Sequence, residues 1–366
     1  MVSAPVNRRR LAELRLMAQA IARPTFETPA AVVRHMLGMQ AQDFAGALWS
    51  VGLRTTRATQ ADVVAALASG DIVRSWPLRG TLHFVPGEDL AWMLGVTAPR
   101  LIAGAATRHR GLGLDSSTFE SARAVAETRL TGSGVLARNA LLREFDRHGI
   151  DTGGQRGYHI LWYLGQTGTL VFGPPDGRTQ TFTLLDEWVR HPRRLERDEA
   201  LGEFALRYFS SHGPATVRDF AWWASLTLRD ARAGLAVAGE ALTEIESDGV
   251  AYFLSPQTLD AARPTSAVRA LPGFDEYLLG YQDRSAVIMR EHLAVVVPGG
   301  NGMFFPTIVV DGEVVGVWRR TGTAGEVEVI AEPFGELSDA ARAGFDRAVQ
   351  RFGRFLGTSV HVLPPE

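Results

Sequence analysis

Residues 134–185 read GVLARNALLREFDRHGIDTGGQRGYHILWYLGQTGTLVFGPPDGRTQTFTLL. Apolar Leu136, Leu141, Leu142 and Phe145 recur at helical spacing, predicting a helix over 134–148. Gly149 and the turn Asp151-Thr152-Gly153-Gly154 interrupt that period, and Tyr158, Ile160, Leu161, Tyr163 and Leu164 resume it as a second helix. Strands follow at 169–172 and 180–185, separated by the turn Gly173-Pro174-Pro175-Asp176-Gly177. Helix, turn, helix and a two-stranded wing is the order of a winged helix.

The same plan recurs on both sides. Downstream, a helix over 199–210 stops at His212-Gly213-Pro214, Thr216 caps 217–224, and Thr227 caps 228–238. Strands 241–246 and 250–254 then meet at Ser247-Asp248-Gly249, a strong hairpin signal. Upstream, a helix over 10–22 precedes Thr28-Pro29, an N-cap with proline at the first helical position, and Gly38 lies near that second helix's end. Helical patterns at 44–53 and 60–68 lead to a hairpin of 72–76 and 81–85 whose turn contains Pro77. Beyond 266 the character changes. Strands at 293–297, 304–310 and 314–318, joined by turns at 298–302 and Asp311-Gly312, precede a helix over 339–355, which suits a small β-barrel or half-barrel. The expected fold is α+β: three tandem winged-helix modules (1–125, 126–198, 199–265) and a β-barrel-like domain (266–366).

Composition narrows the chemistry. The 366 residues are 46% hydrophobic, enough for several compact units, and no window approaches eighteen uninterrupted apolar residues. The basic N-terminus lacks the apolar segment of a signal peptide, so no membrane partner and a cytoplasmic location are expected. Cysteine is absent, which excludes disulfides, thiolate nucleophiles and cysteine-ligated zinc. Lysine is absent too: all 38 basic side chains are arginine, so no side-chain amine exists to form a Schiff base. A net charge of −2 hides an uneven distribution. Residues 1–125 carry 14 Arg against nine Asp and Glu, whereas residues 200–366 carry 14 against 21. The N-terminal end is therefore the more suitable for a polyanion.

No phosphate-binding glycine loop, Gly-x-Ser-x-Gly or His-Glu-x-x-His occurs, and the nine histidines show no ligand spacing, so neither a metal nor another cofactor is expected. His83 is singled out only because it follows Arg79-Gly80 on the first hairpin, where a hydrogen-bonding structural role is the plainer reading. Met36-Leu37-Gly38-Met39-Gln40-Ala41-Gln42-Asp43 remains. Met36, Leu37 and Met39 suit a core, and in extended backbone Gln40 and Gln42 project to the same side. Two converging amides can orient one water. Glutamines that merely close a helix end would look the same at this level.

Met39-Gln40-Ala41-Gln42-Asp43 with Ala47-Leu48-Trp49 resembles the Gln-x-Gln catalytic motif of the AlkZ-like bacterial DNA glycosylases. The resemblance extends through Arg74-Ser75-Trp76-Pro77-Leu78-Arg79-Gly80-Thr81-Leu82-His83 and the run from Phe274-Asp275-Glu276-Tyr277 to Arg284. It reaches Pro306-Thr307 and Gly316-Val317-Trp318-Arg319-Arg320, nearly the whole chain. It implies tandem winged helices with a C-terminal barrel, and excision of alkylated purines from double-stranded DNA. In the family the Gln-x-Gln branch is associated with self-resistance to bulky alkylating natural products, and a branch with an acidic second residue with crosslink unhooking. Gln42 sides with the first.

On this reading Gln40 and Gln42 are catalytic, with Asp43 and His83 in support. An N7-alkylated purine leaves as a neutral base, so positioning a water against the sugar cation suffices without a general acid. Lack of lysine predicts a monofunctional enzyme that leaves an abasic site. Arg54, Arg57, Arg74, Arg79, Arg284, Arg319 and Arg320 are the candidate DNA contacts, the turn 299–302 is a candidate probe of the minor groove, and a nucleoid-associated monomer is expected. A non-enzymatic regulator or lesion-shielding DNA binder remains the alternative, and a protein-interaction scaffold a third; neither needs both amides.

Overall fold

The computed structural model describes residues 6–261, 268–300, 302–323 and 326–363. The chain divides into two compact units, Met1–Val63 with Leu201–Glu366, and Val64–Ala200.

The inner unit, 64–200, carries the hairpin Ile72–Leu78 and Thr81–Pro86. Its turn is Arg79-Gly80, both at positive φ, and not the Pro77 turn read from the sequence. Pro77 lies within the strand, where the register shifts between Ser75 and Leu78; a proline lacking its N–H is tolerated at such a bulge. Helices Leu90–Gly111 and Ser116–Leu130 follow, neither assigned from sequence. Among the described residues, the stretch Gly87–Gly111 is the one helix long and apolar enough to cross a membrane. Leu90, Trp92, Met93, Leu94 and Val96 on this helix are buried.

Leu136 and Ala137, read as the start of a helix, instead form a short strand against Phe182 and Thr181, and the helix begins at Arg138. Helices Arg138–Arg147 and Arg156–Gln166 then lead into strands Leu170–Phe172 and Thr181–Leu184. The core of this region sets Trp76 against Phe172, with ring centroids 4.9 Å apart, and Phe119 against Tyr163 at 3.8 Å. Gly165 is required here, because a Cβ would stand 2.6 Å from the Trp76 ring.

In the outer unit, Thr28 caps Pro29–Met36, whose end is marked by Leu37 at φ 61°. The chain then straightens into the two-residue strand Met39–Gln40 before helix Phe44–Gly52. Helix Arg197–His212 enters from the other side of the sequence. Thr216 and Asp219 form a complete capping box on Val217–Ala224, and Thr227 caps Leu228–Ala238. Strands Thr243–Ser247 and Val250–Leu254 turn through Asp248-Gly249, both at positive φ as a tight hairpin demands.

The C-terminal sheet has five strands, in the order Ser359–Leu363, Glu326–Pro333, Glu313–Thr323, Thr307–Val310, Val268–Leu271. All pairs are antiparallel except Glu326–Pro333 with Ser359–Leu363. Helix Asp339–Leu356 packs on both edge strands, so the sheet curls around it as a half-barrel. One expected strand is wrong: 293–297 belongs to the helix Arg290–Val296. The hairpin tip expected at 299–302 goes with it, since Pro298–Gly300 is a short helical turn and residue 301 lies outside the described set.

His35, on the second helix of this unit, brings its Nε2 to 2.6 Å from the Ala18 carbonyl, which requires the neutral ring to donate. Burial, opposed by that hydrogen bond and aided by the positive side chains nearby, lowers its pKa from 6.5 to about 4. The unfolded chain takes up a proton at this histidine below pH 6.5 and the folded one does not until about pH 4. Stability is therefore expected to fall with pH across that window, by at most about 1.4 kcal/mol per unit from this group, and then to level. Denaturant midpoints of the wild type and His35→Gln against pH test this; parallel curves would refute it.

Candidate active site

The short strand Met39–Gln40 is fixed from beneath by a carboxylate 236 residues away. Glu276 is wholly buried and its Oε1 accepts the Gln40 backbone N–H at 2.9 Å. Its Oε2 accepts the Trp223 indole N–H at 2.9 Å and lies 3.5 Å from His212 Nε2. A buried carboxylate is costly unless its lone pairs are used, so these contacts determine where Glu276, and with it Gln40, must sit.

A second buried acid lies beside it. Asp275 receives Arg54 through two guanidinium nitrogens at 2.9 Å each, and the Ser50 hydroxyl at 2.6 Å. Arg54 also donates to the Gln19 carbonyl at 3.0 Å and to Gln19 Oε1 at 2.8 Å. Gln19 in turn donates to the Glu276 carbonyl and the Tyr281 hydroxyl. Burial raises the pKa of Tyr281, Tyr277 and Tyr208, keeping them neutral donors; the Tyr281 hydroxyl donates a hydrogen bond to the His212 carbonyl at 2.6 Å. The floor of the site is thus a buried polar network that links Gln19, Ser50, Arg54, Asp275, Glu276 and Tyr281 by hydrogen bonds.

Above that floor the two glutamines meet. The Gln42 backbone N–H donates to Gln40 Oε1 at 2.8 Å, and Gln40 Nε2 donates to Gln42 Oε1. Gln40 is buried and Gln42 exposed, so the pair is anchored at one end and open at the other. Each amide retains donor and acceptor capacity beyond the bonds within the pair. Asp43 follows at the N-cap position of helix Phe44–Gly52 but makes no side-chain capping bond. Its carboxylate lies over Gly46, where a Cβ would come within 2.4 Å of Oδ2. It lines a cleft with Trp49, Pro272, Gly273, Pro306, Trp318 and Arg320.

Several expected residues have other duties. Arg54 has no exposed surface, and its guanidinium is consumed by Asp275, Gln19 and Ser50; its assignment to DNA is corrected to a structural one. Arg74 is buried with its guanidinium 5.0 Å above the Phe172 ring, also out of reach of a phosphate. His83 is fully buried, its Nδ1 2.8 Å from the Thr81 carbonyl and its Nε2 3.2 Å from Arg79, so it braces the hairpin. Arg284 is half-buried and donates to the Leu278 carbonyl beside Trp222 and Phe304. Arg57, Arg319 and Arg320 are exposed, Arg319 paired with Glu332 at 2.6 Å, and Arg79 is half-exposed. Asp275, Glu276, Trp223 and Gln19 were not read as site residues. One signal was available: two adjacent acids between Leu271 and Leu278-Leu279 are charges inside an apolar run, which must find buried partners.

Among the described residues no cluster of three or more His, Cys, Asp or Glu side chains is placed to hold a metal ion. What the geometry offers is a pair of neutral amides on a rigid floor, suited to orienting a nucleophile.

Residues 33–355 match the family model described as DNA glycosylase AlkZ-like, and the chain belongs to that family. It is a DNA glycosylase, an enzyme that hydrolyses N-glycosyl bonds and whose substrate is DNA. The chain is 27% identical to a Streptomyces sahachiroi protein named interstrand DNA cross-link repair glycosylase, over 94% of this chain and 95% of that one. It is also similar to the solved structure of the Streptomyces sahachiroi DNA glycosylase AlkZ. That match has a TM-score of 0.82 and 26% identity, and covers 99% of this chain and all of the other.

Proposed function

We propose that Gln40 and Gln42 hold the water that attacks the sugar carbon of an N-alkylated purine nucleotide, in the manner of the Gln-x-Gln branch of the family. The observation that carries this reading is the mutual hydrogen bonding of the two amides on a backbone held by Glu276. Departure of the cationic base as a neutral molecule leaves an oxocarbenium-like sugar. Amide oxygens facing it stabilise the positive charge and fix the water's approach. Asp43 supports the pair by adding a negative charge one residue on. The substrates are N7-alkylguanines bearing bulky natural-product adducts. The name of the Streptomyces relative supports extending them to interstrand crosslinks, in base excision repair or self-resistance.

Segments 1–125, 126–198 and 199–265 act as winged-helix modules on double-stranded DNA and 266–366 as the barrel-like domain, in a nucleoid-associated cytoplasmic monomer. The helix-helix-hairpin order at Arg138–Leu184 and Val217–Leu254 supports this division. Arg57, Arg79, Arg319 and Arg320 are the remaining phosphate contacts.

The test is a duplex carrying one N7-methylguanine, or one bulky N7 adduct, incubated with the protein. Strand cleavage after alkali and none before it is expected, because a chain without lysine leaves the abasic site intact. Breakage before alkali would contradict the monofunctional reading, and no alkali-labile site with either lesion would remove the proposed substrate class.

A further inference from the structure

A pocket lined by three arginines lies at the far end of the helix that follows the glutamines. Helix Phe44–Gly52 runs out into Leu53–Ala58, and there Thr55, Thr56, Arg57, Arg351 and Arg354 line a pocket with about 230 Å³ of open space. Trp49, Gly52 and Phe355 close its base, and no carboxylate is among its lining residues.

The three arginines are not equivalent. Arg351 is half-buried and donates to the Leu53 and Thr55 carbonyls at 2.8 Å each, covering the carbonyls at the helix end. Burial, and then the neighbouring cations Arg269 and Arg354, lower its pKa to about 10. Arg269 is itself tied to the Ile21, Ala22 and Val268 carbonyls. Arg57 and Arg354 are exposed, and neither guanidinium has a hydrogen-bond or ion-pair partner among the described residues. The negative end of the helix dipole favours a cation here, and Arg351 fills that role through its two carbonyl bonds; Arg57 and Arg354 make no such bond and stand around open space. An anion in that space relieves their mutual repulsion.

We propose that the Arg57–Arg351–Arg354 pocket binds a phosphate oxyanion, supplied by the DNA backbone flanking the lesion; its place relative to the lesion rests on the reading of Gln40 and Gln42 as the reaction centre. The nine-residue helix places it about 14 Å from the glutamines, roughly four base steps along a duplex axis. Arg57 and Arg354 grip the phosphate, while Arg351, already engaged with carbonyls, sets the positive wall behind it. The pocket adds register to the complex without reading sequence.

Two measurements on the full-length protein test this, using Arg57→Ala with Arg354→Ala. Both side chains are exposed, and Arg351 keeps its structural bonds. First, affinity for an undamaged duplex is measured against salt concentration. Loss of one phosphate contact lowers the magnitude of the log–log slope by about 1 and weakens binding similarly for all sequences. Second, inorganic phosphate raises the melting temperature of the wild type at constant ionic strength and does so less in the variant. An unchanged slope with an equal phosphate effect in both proteins overturns the site. A phosphate effect confined to the wild type with an unchanged DNA slope overturns the assignment to DNA and leaves a free anion as the ligand. Loss of glycosylase activity alone bears on the proposed reaction and not on this pocket.

Discussion

Arg54→Ala is expected to lower stability by about 3–5 kcal/mol, because it leaves Asp275 buried without its counter-charge. For a unit of this size that corresponds to a fall in melting temperature on the order of 10 °C. Arg54 and Asp275 have 0% and 3% exposed side chains, so water cannot take the place of the lost partner. The double variant Arg54→Met, Asp275→Leu is expected to recover part of the loss, since the uncompensated charge is gone. Ser50 and the backbone N–H of Tyr277, which also donate to Asp275, would still lack an acceptor. A melting temperature for Arg54→Ala within about 2 °C of wild type would show that the pair is not the anchor described. The substitution should also depress activity under conditions where the protein stays folded. Asp275 caps the short helix that begins with Glu276, and Glu276 holds the Gln40 backbone.

The second large effect is on chemistry. Removing both glutamine amides, Gln40→Ala with Gln42→Ala, is expected to slow excision by about a hundredfold or more. That is the scale of losing preorganised dipoles at a charged transition state. Stability should change little on the exposed side, at Gln42. Glu276→Gln separates positioning from contact: it keeps the size of the side chain while removing the charge that faces the Gln40 N–H, the Trp223 indole and His212. Its single-turnover rate should fall while affinity for abasic duplex stays near wild type. Equal losses of rate and affinity would mean that Glu276 serves only to fold the outer unit.

Several features set by local interactions were legible from sequence. Thr28-Pro29, Thr216 and Thr227 cap the helices they were expected to cap, and Asp248-Gly249 turns the hairpin. Other readings failed where tertiary contacts decide. Val295-Val296-Val297 has the branched side chains of a strand. Yet Val296 is buried as the last residue of a helix, and its carbonyl accepts the Phe305 N–H. Leu136 fits a helical period but pairs with Phe182, 46 residues on. The spacing of Gln40 and Gln42 was readable because two residues in extended backbone face one way. The partners that hold them come from residues 223 and 276, joined to the strand only by folding. Charge type alone also misled for Arg54 and Arg74, since a guanidinium suits a buried acid or an aromatic face as well as it suits a phosphate.

The glutamine pair is proposed to position the attacking water in DNA base excision. The most direct test is single-turnover formation of abasic sites from a duplex containing one N7-methylguanine, by the wild type and by the Gln40→Ala, Gln42→Ala variant. Both are assayed at protein concentrations that saturate the DNA. The account predicts abasic product from the wild type and a rate at least about a hundredfold lower from the variant, with duplex binding retained. Equal rates from the two proteins would contradict it.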